Sequence, residues 1–218
     1  MKDRYEERRE KMVHRLVEQG ILRTPRVVEA MLMVPRHAFL PKGYRNSAYY
    51  DTPLSIGAGQ TISAPHMVGM MLEHLDLQEG HVVLEIGAGS GYHAALVGYI
   101  VGPSGRVYSV ERIDALARKA QKNVEAVGLA DRVEIVVGDG SQGVPEHAPY
   151  DRIFVTCAAP DIPPPLKEEL KDGGKLLIPM GSRYYQDLIL VEKTEGGLKR
   201  RDLGGCVFVP LIGKYGFP

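Results

Sequence analysis

Three observations predict an α/β protein built on a mostly parallel sheet. From His81 onward, short apolar runs at 82–86, 107–110, 133–137, 153–157 and 175–178 alternate with helical segments at 92–101, 113–127 and 165–170. Strands that are apolar throughout, with helices between them, belong to parallel sheets covered on both faces. The first run opens directly into a glycine-rich turn, Gly87-Ala88-Gly89-Ser90-Gly91, which leads without a break into a helix. Finally, 218 residues suffice for one such domain and are short for two.

The elements before the sheet follow the same logic. Residues 4–19 read as an amphipathic helix with Met12, Val13, Leu16 and Val17 on one stripe and Gly20 closing it. Thr24-Pro25 supplies an N-cap and a first-turn proline for a second helix, whose stripe is Val27, Val28, Met31 and Leu32. Residues 39–63, rich in Gly, Pro and Tyr, show no sustained period and read as a long loop, of a length that is usually functional. A third helix starts at Ser63-Ala64-Pro65, with Met67, Met70, Met71 and Leu75 on its apolar face. At the far end, 188–192, the turn Glu195-Gly196-Gly197 and 198–209 read as a β-hairpin added to the sheet. The expected organisation is a single domain over 1–218, with helices and a loop in 1–80 and the core and hairpin in 81–218.

Composition narrows the classes of partner. Lys plus Arg and Asp plus Glu both number 27, so no overall field favours nucleic acid or an anionic membrane. Residues 1–45 do carry eleven basic against six acidic residues, a surplus of five that reads as a solvated helix surface. Cys157 and Cys206 are too few and too far apart for a disulfide framework or a metal motif, and no metal site is expected. The amino terminus is charged and no segment is long enough to span a bilayer, so a cytoplasmic protein is expected.

The carboxyl ends of the strands carry the chemistry, because ligands of open parallel sheets bind there. The glycine loop allows a ligand to approach the backbone, and the helix behind it offers free N–H groups. Its spacing is GxGxG, with Tyr92 where a dinucleotide fold places its third glycine. Glu85, on the strand just before the loop, would repel a pyrophosphate and attract an ammonium group. This favours S-adenosylmethionine over NAD. Glu111, ending the second strand, can accept from both ribose hydroxyls, and Asp139-Gly140, ending the third, can receive the adenine amino group. With Gly87, Gly89, Gly91 and Arg112 these form the expected cofactor site. The fold expected is therefore the Rossmann-like S-adenosylmethionine methyltransferase fold: a mostly parallel sheet with helices on both faces, a C-terminal β-hairpin and an N-terminal helical extension.

A narrower resemblance rests on YDTPLSIGAGQTISAPHM at 50–67, above all its GQTISAPHM portion, and on VLEIGAGSGY, VYSVER, VVGDGSQG, APYDRIFVTCAAP, LKDGGKLLIPMG and the terminal VFVPLIGKYG. Over essentially its whole length the chain resembles the protein-L-isoaspartate (D-aspartate) O-methyltransferases. The resemblance implies transfer of a methyl group from S-adenosylmethionine, leaving S-adenosylhomocysteine, to the free α-carboxylate of L-isoaspartyl residues in damaged proteins and peptides. It implies Ser63 as the active-site hydroxyl, Thr61 and Ile62 as contacts to both cofactor and substrate backbone, and Gln60, Cys157, Val207 and Val209 as substrate neighbours. A monomer without nucleic-acid or membrane partners is expected. From position alone, Ser63 reads first as the cap of the third helix, and the resemblance is what turns the reading toward catalysis. Other acceptors, such as a tRNA base or a small metabolite, would leave every cofactor residue in place, and a non-catalytic binding protein or an NAD oxidoreductase are further alternatives. His66 and His93 read as surface or packing residues.

Overall fold

A computed structural model describes residues 3–218. In chain order its elements are α1 (Arg4–Glu18), α2 (Pro25–Met33), β1 (Leu54–Gly57), β2 (Gln60–Ile62), α3 (Pro65–Leu75), β3 (Val82–Ile86), α4 (Tyr92–Val101), β4 (Arg106–Glu111), α5 (Asp114–Ala126), β5 (Val133–Val137), β6 (Tyr150–Val155), α6 (Pro164–Glu169), β7 (Leu170–Gly181), β8 (Gln186–Thr194) and β9 (Gly197–Cys206). Seven strands form one sheet in the order β5-β4-β3-β6-β7-β8-β9. The first five are parallel, whereas β8 and β9 add antiparallel. The chain runs outward from β3 through β4 to β5 and then returns to the other side of β3 with β6. That reversal makes the carboxyl end of β3 the topological switch point, where such sheets open a crevice.

The alternation of side chains along each strand divides the interior in two. Val83, Phe154, Leu177 and Leu188 face one way and pack with the apolar stripes of α1 to α5. Leu84, Ile153, Leu176 and Ile178 face the other way, where α6 covers them with Leu166. Helices thus lie on both faces, as the sequence pattern requires. The N-terminal helices belong to the first of these cores, with Met12, Val13, Leu16 and Met31 all buried in it. No helix among the described residues is long and apolar enough to cross a membrane.

Four sequence expectations change in detail. The stretch 39–63 is not an irregular loop. It starts at the end of a 3-10 turn, Arg36–Phe39, and contains another at Lys42–Ser47 and the β1–β2 hairpin. The hairpin turn, Ala58-Gly59, has φ of 52° and 71°. Two positive φ values are usually signalled by Asn-Gly or Asp-Gly, so the turn left no mark in the sequence. The third helix is capped differently as well: Ala64 holds the N-cap position and no side chain caps it there, so Ser63 is not its cap. The buried face of α3 is Val68, Met71, Leu72 and Leu75, with Met67 and Met70 at its margin. Thr24 does stand at the N-cap of α2, but its hydroxyl donates to Glu73 on α3 instead of capping. Lastly β9 stops at Cys206. The following residues leave the edge and return to the end of β6, where Ala158 pairs with Pro210.

Candidate active site

A cavity opens at the switch point, about 810 Å³ of empty space with its open mouth included. Its floor is the β3–α4 loop. Gly87 has φ of +101°, and a Cβ there would sit 2.5 Å from Thr156 Oγ1. The Thr156 hydroxyl is already committed, donating to the carbonyls of Gly87 at 2.6 Å and Ile86 at 3.1 Å. Gly91 serves a different purpose. It is the N-cap of α4 in the left-handed region, and a Cβ there would press on Ala120 and Val124 of α5. It lets two helices meet and does not line the cavity.

Two carboxylates come into the cavity from adjacent strands. Glu85 is fully buried on β3. Its Oε2 accepts from Ser109, the residue opposite it on β4, while its Oε1 has no partner. Burial pushes this carboxyl up to about 8, the nearby Glu111 adds to the rise, and the Ser109 hydrogen bond opposes it. Glu111, at the end of β4, is arranged otherwise. Its Oε2 accepts from Gly89 N–H and its Oε1 from Ile113 N–H, both at 2.9 Å. A carboxylate oxygen has room for a second donor, so Glu111 is oriented by the backbone and still able to accept from a diol.

The β1–β2 hairpin forms the roof. Ile56 on β1 is buried, with its Cδ1 over Gly89, and Gln60, Thr61, Ile62 and Ser63 run along the cavity wall. The hairpin is tied at its neck, because Asp51 Oδ1 accepts from both the backbone N–H of His66, at 2.9 Å, and the His66 ring at 3.0 Å. The opposite wall is Thr156, Cys157, Val209 and Pro210.

Of the residues expected from sequence, Gln60, Thr61, Ile62, Ser63, Glu85, Gly87, Gly89, Glu111, Arg112, Gly140, Cys157 and Val209 share this cavity. Three do not. Gly91 packs helices. Asp139 turns its carboxylate to the rim, accepting from Ser141 and from the Lys214 backbone, while its neighbour Gly140 lines the cavity in its place. Val207 is 72% exposed outside. Sequence reasoning missed Ser109, although the strand pattern VYSVE places it opposite Glu85, and it missed Asp51 altogether. His93 has a packing role against Phe154 but also reaches the cavity wall. Burial pushes it down to about 3, so it is neutral.

Comparison with known proteins identifies the family. Residues 7–216 match the family model described as protein-L-isoaspartate(D-aspartate) O-methyltransferase. The chain belongs to that family. A protein-L-isoaspartate O-methyltransferase of Methanopyrus kandleri is 58% identical over 210 residues, covering 96% of this chain and 93% of that protein. One from Hyperthermus butylicus is 55% identical, covering 98% and 92%. A solved protein-L-isoaspartate O-methyltransferase superposes with a TM-score of 0.88 at 35% identity, covering 95% of this chain and 67% of its own. A Plasmodium falciparum structure described as a β-aspartate methyltransferase, in complex with S-adenosyl-L-homocysteine, gives 0.85 at 27% identity, covering 97% and 99%. Membership in this family of methyltransferases sets aside the NAD oxidoreductase and leaves a tRNA or metabolite acceptor without support. The Glu85–Glu111 pair and the hairpin wall all fall inside the matched span.

Proposed function

We propose that this protein is a repair methyltransferase, transferring a methyl group from S-adenosylmethionine to the free α-carboxylate of L-isoaspartyl residues in damaged proteins and peptides. The observation that carries this reading is the placement of Ser63. Its hydroxyl is not used to cap α3, and it lies in the same cavity as the buried Glu85 and the backbone-held Glu111.

The residues present fit the cofactor. Glu85 Oε1 is an orphaned, fully buried acceptor, and such an atom is costly unless a donor arrives; an α-ammonium group is a matching donor. Glu111 is placed to accept from a ribose diol and Gly140 to border the base. When bound, S-adenosylmethionine supplies an electrophilic sulfonium methyl group. The rest of the work is orientation and exclusion of water. The acceptor carboxylate is ionised at neutral pH and needs no general base. Among the described residues that line the cavity, the histidine His93 is held neutral, and His66, paired with Asp51, lies outside the lining. Burial pushes the Cys157 thiol far up, with Glu111 and Glu85 adding to the rise, so it stays protonated and does not compete as a nucleophile. Ser63 donates a hydrogen bond to the acceptor carboxylate and fixes its approach, while Ile62, Val68 and Val209 keep the wall apolar.

We place the whole of 1–218 in one unit acting as a monomer in the cytoplasm, with damaged polypeptides as its partners. Two free, buried cysteines and the balanced charge support that placement. The decisive test is tritiated methyl transfer to an isoaspartyl peptide and to its normal aspartyl twin. Base-labile label on the isoaspartyl peptide alone is expected. Equal labelling of both would overturn the assignment.

A further inference from the structure

The acceptor end of the cavity continues into an exposed apolar shelf. Tyr184 is 87% exposed and Tyr185 59%, in the turn between β7 and β8, and Val207 is exposed beside them. Their proximity follows from register. Gln186 pairs with Cys206 as the last partners of β8 and β9, and both are buried. One residue further on stand Tyr185 and Val207, which therefore face outward. The Tyr185 hydroxyl lies directly over Gly205, where a Cβ would collide with it. Buried Gln186 accepts the N–H of Phe208 at 2.8 Å and so fixes the two residues that flank it, Val207 outside and Val209 in the cavity wall.

The turn is also held rigid. Ser182 N–H and its hydroxyl both donate to the carbonyl of Tyr185, and the same hydroxyl accepts from Tyr184 N–H and Tyr185 N–H. Arg183 donates to the Pro218 carbonyl and stacks over Phe217, while Phe217 N–H donates to the carbonyl of Leu211, another residue of the cavity wall. At the other end of the turn Gly181 N–H donates to Ala159, two residues from Cys157. Two exposed aromatic side chains on a pre-organised turn, joined by hydrogen bonds to the cavity wall, have the character of a binding anchor: large contact area with little conformational freedom left to lose.

On the reading that the cavity takes an isoaspartyl residue, we infer that Tyr184, Tyr185 and Val207 form a docking shelf for the unfolded polypeptide that flanks that residue, and that the shelf selects apolar and aromatic side chains within a few positions of it. The occupant is the substrate's own chain, because Val207 stands two residues from Val209 of the cavity wall, and Phe208 between them is hydrogen-bonded to Gln186, the residue after Tyr185. Apolar side chains are what a damaged protein exposes when it loses its fold, so the shelf favours damage in unfolded segments over damage on intact surfaces.

The test compares kcat/KM for isoaspartyl peptides in which a single Phe is walked through the positions on either side of the isoaspartyl residue, with an all-Gly flank as reference. A preference of about tenfold for the best Phe position is expected, falling to near unity in Tyr184→Ala. Tyr184 is so exposed that the variant folds normally, and Tyr185→Ser provides a second measurement. A flank preference absent in the parent enzyme, or unchanged in both variants, would overturn the inference while the isoaspartyl assignment stands. So would a Tyr184-dependent dimer in sedimentation without any flank preference, which would assign the shelf to a second copy of the chain. Failure to label any isoaspartyl peptide would sink the assignment of the cavity and this inference with it.

Discussion

The two ends of the cavity are built on different terms. At the cofactor end, Glu85, Gly87, Gly89 and Glu111 come from two adjacent parallel strands and the turn between sheet and helix, all within 27 residues of sequence. Apart from the orphaned Glu85 Oε1, their carboxylate oxygens are wired to backbone or to Ser109. At the acceptor end the wall is assembled from segments far apart in the chain: the hairpin up to Ser63, the end of β6, and the stretch from Val209. The last of these segments is preceded by the exposed Val207. The first end is set by the strand register of a buried core and the second by loops resting on that core. Substitutions at the cofactor end should therefore affect binding of any methyl donor or product, whereas those at the acceptor end should change turnover and preference with little effect on the fold.

The largest effect is expected for Gly87→Ala. The positive φ and the committed Thr156 hydroxyl leave no place for a methyl group, so the loop must shift. Titration calorimetry with S-adenosylhomocysteine should show affinity reduced on the order of a hundredfold or more. Next is Glu85→Gln, which removes the charge proposed to meet the α-ammonium group, with an expected loss of about ten- to hundredfold in the same titration. This residue also makes a pH signature. In the free protein its carboxyl is raised to about 8, so below that pH it is largely protonated and must lose the proton to receive a cation. Binding at pH 7 should release a proton, seen as a buffer-dependent heat, and affinity should tighten as pH rises from 6 toward 8. For stability the direction reverses. The unfolded carboxyl titrates near 4.5, so the contribution of protonated Glu85 is fully present below that value and is lost as pH rises through about 8. Glu85→Gln should flatten both dependences. A parent enzyme whose affinity is constant across pH 6–8 would show that Glu85 is already ionised without ligand.

Ser63→Ala tests the acceptor end alone. Because α3 begins at Ala64 without a side-chain cap, the loss of about 0.5–2 kcal/mol that a removed cap brings is not expected, and the melting temperature should stay within about 2 °C of the parent. Turnover on an isoaspartyl peptide should fall about ten- to hundredfold, with the affinity for S-adenosylhomocysteine nearly unchanged. Normal turnover per folded molecule would remove Ser63 from the chemistry.

The contrast between the two ends also explains what could be seen in the sequence. Period and turn chemistry exposed the parallel core: α4 was expected at 92–101 and is found at Tyr92–Val101, and Glu85 and Glu111 stand where strand ends were expected. Such signals are local, and the cofactor end is local too. The hairpin at 54–62 escaped because its strands are four and three residues long and only Ile56 and Ile62 are buried in them, too few to show a period of two. Asp139 shows a related limit of strand-end signals. A strand-end acid reads the same whether it faces the cavity or, as here, ties down Ser141 and the 213–215 turn. Part of the choice between those directions comes from the Lys214 backbone, 75 positions away.

The smallest effect is expected at Asp51, and it probes the joint between the two ends. One carboxylate oxygen holds both the His66 N–H and the His66 ring. It therefore does for α3 what a side-chain cap would have done, but from 15 residues upstream, and in doing so it closes the neck of the hairpin that carries Thr61, Ile62 and Ser63. Replacing it with alanine removes a partial cap and a half-exposed pair, a loss of about 1 kcal/mol. If the pair served only stability, kcat and KM per folded molecule would not change. If it positions the roof, Asp51→Ala should raise KM for the peptide several-fold and speed hydrogen exchange across 54–62, leaving exchange in β3 and β4 as it was. Asp51→Asn keeps an acceptor for the His66 N–H and should restore most of the loss. Unaltered exchange in the hairpin of Asp51→Ala would mean that the packing of Ile56 over Gly89 holds the roof by itself.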